Sequence, residues 1–356
     1  MTRGIGYYVH HQGVGHWQRA CAIAAALDRP CTLIGTLAGI DTAEAPGPVL
    51  DLPDDRLDDG FGGQDGEAER PHALHYAPLA HPGIRTRMAR IAAWAAETDP
   101  LLLVVDVSVE VALFARLLSL PTLVFRLAGT RTDLPHLEAF RSADRLIAPF
   151  PAALEAEGVP DWVRAKTDYA GFLGRPVAQR PGVDAGAGGP IVVVFGRGGD
   201  GGALADLAAA ARAVPERDWH VLGPVTGEGE RPANLHLHGW VADADAWIAR
   251  AGLVVGGAGD GVVAAVAARA KRFLCLPEER AYGEQIEKAR ALARLGAAIV
   301  HEGWPEAALW PGLVRAGLAL DPSAIVALSD PHAIRHAAAL IERHARRRDP
   351  MVTGLG

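Results

Sequence analysis

The sequence is short of cysteine, of net positive charge and of long apolar runs, and each shortage excludes something. Only three cysteines stand in 356 residues, and Cys21, Cys31 and Cys275 form no CxxC pair. All three sit in apolar runs, which fits reduced, buried thiols in the cytosol better than a disulfide framework or a zinc site. Lys and Arg number 35 against 42 Asp and Glu, a formal charge of −7. That balance disfavours a nucleic-acid partner, although local basic patches can persist within it. No stretch is long and apolar enough to span a bilayer. The opening Met1-Thr2-Arg3-Gly4 reaches glycine and then histidine too early for a signal peptide, so a cytoplasmic protein is expected. No glycine loop is followed by Lys-Ser/Thr, which argues against a Walker A nucleotidase.

Apolar residues make up 49% of the chain, too many for disorder beyond short segments, and the length suits about two domains. Short apolar runs alternate with alanine-rich helical stretches almost throughout, the pattern of βα units and a parallel sheet. Ile5 to Val9 reads as a strand, Trp17 to Leu27 as a helix, and Cys31 to Leu33 opens the next strand. Residues 41–83 read as a long loop region with short elements, of the kind that borders sites. Helical spacing returns over Ile84 to Glu97. Leu101 to Asp106 then reads as a buried strand, Val109 to Leu118 as a helix and Thr122 to Arg126 as a strand. Residues 175–190 lose periodicity and form a linker.

The pattern then restarts: strand Ile191 to Phe195, helix Ala203 to Ala213, strand Trp219 to Leu222, helix Ala244 to Ala251, strand Leu253 to Val255. The expected organisation is an α/β chain of two Rossmann-like domains, 1–174 and 191–330, facing a cleft. Residues 331–356 form a C-terminal helix with the option of crossing back to the first domain. A ligand would sit in the cleft, at the carboxyl ends of the strands.

Three glycine loops carry the chemistry. Gly13-Val14-Gly15-His16 joins a strand to a helix N-terminus, where free N–H groups and the helix dipole favour an anion; a tight βα turn explains it equally well. Gly196-Arg197-Gly198-Gly199, ahead of Asp200-Gly201-Gly202, makes a better diphosphate cradle, with Arg197 as a cation for it. Gly256-Gly257-Ala258-Gly259-Asp260-Gly261 follows a buried strand and precedes a helix, so its donors suit the same phosphates from the other side. Arg126 and Arg131 flank a loop of the first domain, where they suit an acidic acceptor or are plain surface residues. Arg346-Arg347-Arg348 suits anionic lipid headgroups or simply complements the dipole of its own helix.

The run from Gly256 to Ile299 resembles the donor-sugar signature of the family 28 glycosyltransferases of GT-B architecture, the family that includes the lipid-II-forming N-acetylglucosaminyltransferases. The matching features are the loop at Gly259, Pro277, Glu284-Gln285 and Gly296-Ala297-Ala298. FGRGG at Phe195 to Gly199 matches the family's diphosphate loop, and the segment from Asn234 through Trp240 and Val241 resembles its base-binding segment. GVGH resembles the acceptor-side loop, with Gly13 and Gly15. Two positions depart from the family: Ala265 replaces a ribose-binding Glu, with Asp260 or Glu279 as substitutes, and Gly257 replaces a phosphate-contacting His.

The resemblance implies an inverting transfer of a sugar from a nucleotide diphosphate, with uridine as the expected base, to an unidentified acceptor hydroxyl. It implies His16 as general base, Asp106 as its orienting carboxylate, and Glu284 and Gln285 as partners of the sugar hydroxyls. No metal or other cofactor is expected, since helix dipoles and loop amides replace the cation, and peripheral contact with the inner face of the membrane is compatible. His16 as a helix cap and Asp106 as an N-cap stand as the structural alternatives. At the level of function, a nucleotide-sugar hydrolase or 2-epimerase and a non-catalytic nucleotide-sugar-binding relative stand beside the transferase.

Overall fold

The computed structural model describes residues 3–10, 14–55, 71–173, 186–196, 199 and 201–349. The first domain is a seven-stranded parallel sheet in the order β3-β2-β1-β4-β5-β6-β7. Its strands are β1 (Ile5–Tyr8), β2 (Cys31–Gly35), β3 (Val49–Asp51), β4 (Leu102–Asp106), β5 (Thr122–Phe125), β6 (Arg145–Ala148) and β7 (Thr167–Tyr169). Its helices are α1 (Val14–Ala25), α2 (Pro82–Thr98), α3 (Val109–Leu117), α4 (Leu134–Ser142) and α5 (Asp161–Lys166). The central strands are buried on both faces, as continuous runs such as Leu102-Leu103-Val104-Val105 require.

The second domain repeats the scheme with β8 (Ile191–Val194), β9 (Gly202–Ala203), β10 (Trp219–Leu222), β11 (Val225–Thr226), β12 (Leu235–Gly239), β13 (Leu253–Gly256), β14 (Phe273–Cys275) and β15 (Ile299–Val300). Its main sheet has six strands in the order β12-β10-β8-β13-β14-β15. It carries α6 (Leu204–Ala213), α7 (Ala244–Arg250), α8 (Asp260–Ala268), α9 (Glu284–Arg294), α10 (Trp310–Ala319) and α11 (Ser323–Val326). Trp310 is fully buried and meets Trp219 edge-on at 5.1 Å.

In each sheet the strand order reverses beside the first strand. From β1 the chain moves to β2 on one side and later to β4 on the other; β8 lies likewise between β10 and β13. The crevice at such a reversal is the natural ligand site of an open parallel sheet. The loops that leave β1 and β4 therefore open toward one crevice, and those that leave β8 and β13 toward the other.

The last helix, α12 (Ala333–Arg348), returns to the first domain. Its Ala333, Ala337, Ile341 and Ala345 join one apolar cluster with Ile5, Tyr7, Ile23 and Leu102. Glu342 accepts hydrogen bonds from the Asp28 and Arg29 backbone N–H groups at 3.0 and 3.1 Å. Arg346 and Arg348 pair with Asp28 and Asp144, so two of the three terminal arginines are engaged within the protein. A second apolar cluster joins the domains, bringing Ala148, Phe150, Leu154 and Phe172 against Ala289, Leu292, Ile325 and Leu328. Among the described residues, no helix is long and apolar enough to cross a membrane.

The described part of residues 41–83 holds short elements, β3 and the start of α2, as expected, while residues 56–70 of that region and residues 175–185 of the linker lie outside the described residues. The structure adds α4, β6, α5 and β7 after β5, where the sequence pattern marks no element. The helices α1 and α8 begin earlier than their apolar periodicity indicates, at Val14 and Asp260. His16, Asp260 and Gly261 consequently lie on first helical turns and not on loops.

Candidate active site

A cavity of about 980 Å³ lies between the two domains. On the first-domain side β1 delivers His16 through α1, and β4 ends on Asp106. The His16 ring lines the cavity, and its Nδ1 lies 3.0 Å from Oδ1 of the fully buried Asp106. Arg19, one turn after His16, grips the same carboxylate, Nη2 reaching Oδ1 at 2.7 Å and Oδ2 at 2.8 Å, and Nε reaching Oδ2 at 3.3 Å. Arg19 Nη2 also lies 2.9 Å from His16 Nδ1. The Tyr7 hydroxyl donates to Asp106 Oδ2 at 3.4 Å.

Burial pushes the Asp106 carboxyl up, but the Arg19 charge and the His16 and Arg19 hydrogen bonds outweigh it and hold the group at about 2. Burial pushes the Tyr7 hydroxyl well up, so it stays protonated and donates. Asp106 is thus an anion at neutral pH. Its two oxygens, the strongest acceptors present, take the Nη2 protons of Arg19. The short contact between Nδ1 and Oδ1 then needs a proton on Nδ1, which leaves Nε2 of the neutral ring with its lone pair for the cavity.

Both structural alternatives for this pair are answered. Ser108, not Asp106, caps α3, its Oγ accepting from Val111 N at 3.2 Å. His16 stands in the first turn of α1, with its side chain engaged by Asp106 and Arg19 instead of capping the helix end. Val107, directly after Asp106, has φ of +79°, a conformation that costs a β-branched residue about 1–3 kcal/mol. That strain falls where β4 turns sharply beside the cavity.

The second domain faces this pair with glycine. Gly196, Gly199, Gly257, Gly259 and Gly261 all line the cavity. A Cβ at Gly196, Gly259 or Gly261 would meet nothing within 4 Å, so backbone borders open space there. At Gly199 a Cβ would come within 2.6 Å of Glu278 Oε1, and at Gly257 within 2.7 Å of Gln285 Oε1. Neither α8 nor α9 has a side-chain N-cap, and the first turns carry Asp260 on α8 and Glu284 and Glu287 on α9.

Behind these two helix starts, the fully buried Lys288 pairs with Asp260 and lies 3.7 Å from Glu284 Oε1. Burial pushes the Glu284 carboxyl up, with Lys288 and Arg131 pulling it back and Asp260 adding to the rise.

Several expected roles need correction. Gln285 lines the cavity, but its amide oxygen accepts from Ala258 N at 2.9 Å and Glu278 N at 3.0 Å. That oxygen braces two loops, while Nε2 donates to Glu278 Oε2 at 3.4 Å and keeps a second proton. Arg126 is not an acceptor ligand: it is 1% exposed, ion-paired with Glu155, and stacked on Phe150 and Tyr169. Arg131 does reach the cavity wall, yet it points across to Glu284 of the other domain. Trp240 stands 57% exposed and Val241 packs against the core beside it, and neither lines the cavity. Gly15 sits exposed in the first turn of α1. Gly13, Arg197 and Gly198 lie outside the described residues.

Other functional side chains carry little local signal. Arg19 is legible only as one helical turn from His16, and Lys288 as one turn from Glu284. His75 and His136, which line the cavity beside Arg131, form with Asp133 the one group among the described residues with metal-ligand geometry, their ligand atoms within 4.8 Å of one another. They already satisfy each other, His75 Nε2 and His136 Nδ1 each lying 2.7 Å from an Asp133 oxygen. Burial lowers the His136 ring to about 4 against the pull of Asp133, so it is neutral near pH 7. Ile84, Met88, Val107, Val109, Val111 and Leu127 give the lining an apolar part, beside Asp55, Arg87, Ser108 and Glu110.

No family model matches the sequence, and no curated protein matches it significantly. Solved structures match its fold along nearly the whole chain. The glycotransferase of kitacinnamycin aligns at 15% identity over 97% of this chain and 100% of its own, with a TM-score of 0.68. MurG of Acinetobacter baumannii aligns at 18% identity over 96% of this chain and 100% of its own, with a TM-score of 0.67. Spinosyn rhamnosyltransferase SpnG, in complex with thymidine diphosphate, aligns at 17% identity over 96% of this chain and 99% of its own, with a TM-score of 0.62. Two Rossmann-like domains facing a cleft, the GT-B architecture, is the fold of this chain.

Proposed function

We propose that the protein is an inverting glycosyltransferase that moves a sugar from a nucleoside-diphosphate donor to an acceptor hydroxyl. The observation that carries this is the His16–Asp106 pair, set across a 980 Å³ cavity from glycine-lined, uncapped helix starts. An acceptor hydroxyl beside His16 gives its proton to Nε2, and its oxygen attacks the anomeric carbon. The bond from that carbon to the diphosphate oxygen breaks on the opposite face. The charge that develops on the diphosphate meets the N-termini of α8 and α9 and the amides around Gly259. Asp106 stabilises the imidazolium once it forms, and Arg19 keeps Asp106 ionised and fixed.

In this reading Glu284, at the start of α9, accepts hydrogen bonds from the donor sugar. No metal enters this scheme, since the helix ends supply the positive field. The mixed lining, apolar at Ile84, Met88 and Val107 and polar at Arg87, Ser108 and Glu110, suits an acceptor whose hydroxyl is carried on a partly apolar body. For the donor base we favour uridine; thymidine is the second choice, because a neighbour of the same fold is known with thymidine diphosphate.

Calorimetric titration with uridine, thymidine and guanosine diphosphates tests the donor half. We expect one of them to bind in the micromolar range, and to be lost on Gly259→Trp, which fills the open space over the start of α8. Failure of all three to bind at millimolar concentration rejects the proposal. Release of the free sugar with water as sole acceptor would assign the same site to hydrolysis.

A further inference from the structure

The two domains touch at the rim of the cavity through a small set of polar contacts. On the first domain these come from residues 128–131, which follow β5. On the second they come from residues 282–284, which lead into α9. Tyr282 O accepts from Thr130 N at 2.9 Å and from Thr130 Oγ1 at 3.3 Å. Gly129 lies so close that a Cβ would come within 2.5 Å of Tyr282 O, and its φ of +91° independently suits glycine. Tyr282 itself adopts φ of +61°, an unusual conformation for a tyrosine just before a helix.

Arg131 stands at the centre of this contact and is 8% exposed. Its guanidinium lies 4.4 Å over the Tyr282 ring. Each edge of the fork has a partner: Nε donates to Ala128 O at 3.3 Å, Nη1 lies 3.4 Å from His136 Nε2, and Nη2 reaches Glu284 Oε2 at 3.4 Å. Glu284 is thus held by a first-domain cation on one oxygen and approached by second-domain Lys288, at 3.7 Å, on the other. Glu284 also lines the cavity, at the first turn of α9.

We infer that Arg131 is a positioning residue for donor-sugar recognition: a first-domain side chain sets the carboxylate with which the second domain grips the sugar hydroxyls. The inference rests on the glycosyltransferase proposal and deepens it. In that proposal the diphosphate meets backbone N–H groups of the α8 and α9 starts and the glycine loops, whereas on the second domain Arg131 reaches the Glu284 carboxylate and the Tyr282 ring. Removing Arg131 therefore separates the two parts of the donor: the sugar's contribution to affinity falls while that of the nucleoside diphosphate stays.

The test compares binding of uridine and thymidine diphosphates with that of the matching diphosphate-glucose and uridine diphosphate N-acetylglucosamine, by calorimetry. The proteins are wild type, Arg131→Met, Glu284→Gln and the double variant. For Arg131→Met we expect nucleotide-sugar affinity to drop about tenfold, with diphosphate affinity unchanged within about twofold. The double variant should lose no more than Glu284→Gln alone, because both changes remove one interaction. Where Arg131→Met does not fold, Tyr282→Leu removes the ring beneath the guanidinium and should act in the same direction.

Equal loss of diphosphate and nucleotide-sugar binding would show a general structural role and overturn the inference. So would unchanged sugar affinity, or additive losses in the double variant. Wild-type protein that binds the diphosphates but gains or loses nothing from an attached sugar overturns it too, and leaves the nucleotide site standing. Wild-type protein that binds neither rejects the donor proposal itself, and the inference with it.

Discussion

Replacing Arg19 with methionine isolates the electrostatics on which the His16–Asp106 pair depends. Asp106 is fully buried, and its carboxyl is held at about 2 although burial alone pushes it up. Against an unfolded value of about 3.9, that depression corresponds to about 2–3 kcal/mol of stability at neutral pH. The contribution is fully present above pH 4 and is lost as pH falls through about 2. Methionine keeps the packing of the Arg19 stem and removes the charge and three hydrogen bonds. Breaking a buried pair in this way costs about 3–5 kcal/mol, with His16 offsetting part of it.

The sign of the pH dependence should also reverse. Without Arg19, burial becomes the main influence and lifts the folded-state carboxyl above its unfolded value. The variant then takes up a proton on folding and loses stability as pH rises from 4, by up to about 1.4 kcal/mol per pH unit until the carboxyl ionises. Urea unfolding of wild type and variant at pH 4 to 8 reads this directly, as a gap that widens with pH. Combining Arg19→Met with Asp106→Asn should flatten the dependence. A cost below about 1 kcal/mol that is constant with pH would falsify this account of Asp106.

Other outcomes follow from the same coordinates. His16→Ala should lower kcat about 10²- to 10⁴-fold in steady-state assays while leaving nucleoside-diphosphate affinity in place; full activity would remove His16 as the base. Gly199→Ala places a methyl group on the Glu278 carboxylate and should weaken diphosphate binding at least severalfold, whereas unchanged calorimetric affinity would show that the loop yields freely. The neutral His136 ring should resist protonation down to about pH 4, and because the unfolded ring takes a proton below about 6.5, its share of stability falls as pH drops between those values; an NMR titration near 6.5 contradicts this. Ile341→Ala in α12 should cost about 2–4 kcal/mol in the first domain, since the side chain is fully buried against it, and a chemical-denaturation shift under 1 kcal/mol would show that the helix packs only loosely.

Much of the fold is written in local pattern. Runs such as Ile191-Val192-Val193-Val194 allow only a strand covered on both faces, and alanine-rich stretches between them only the crossover helices of a parallel sheet. Helix starts were less legible, because a first turn lined with glycine and polar residues shows no apolar period. The stretch between β5 and the linker was opaque for a related reason: β6, α5 and β7 span only four, six and three residues.

The site divides along the same line. His16, Asp106 and the glycine loops stand at the ends of strands, where chain order alone brings them to the crevice. Arg126 and Arg131 show where local pattern stops. Both are arginines after β5 and read alike in sequence, yet Arg126 is enclosed by Glu155 from 29 residues later and Arg131 meets Glu284 from 153 residues later. Gln285 and Glu284 are neighbours in one motif and both line the cavity, but Gln285 turns its oxygen to loop N–H groups while Glu284 meets Arg131 of the first domain. Sequence determined the two sheets, their glycine loops and the His16–Asp106 candidates, because periodicity and strand order act over short range. Tertiary structure alone decided which charges are paired, which carboxylate remains for a ligand and where the domains meet, because those depend on contacts between residues far apart in the chain.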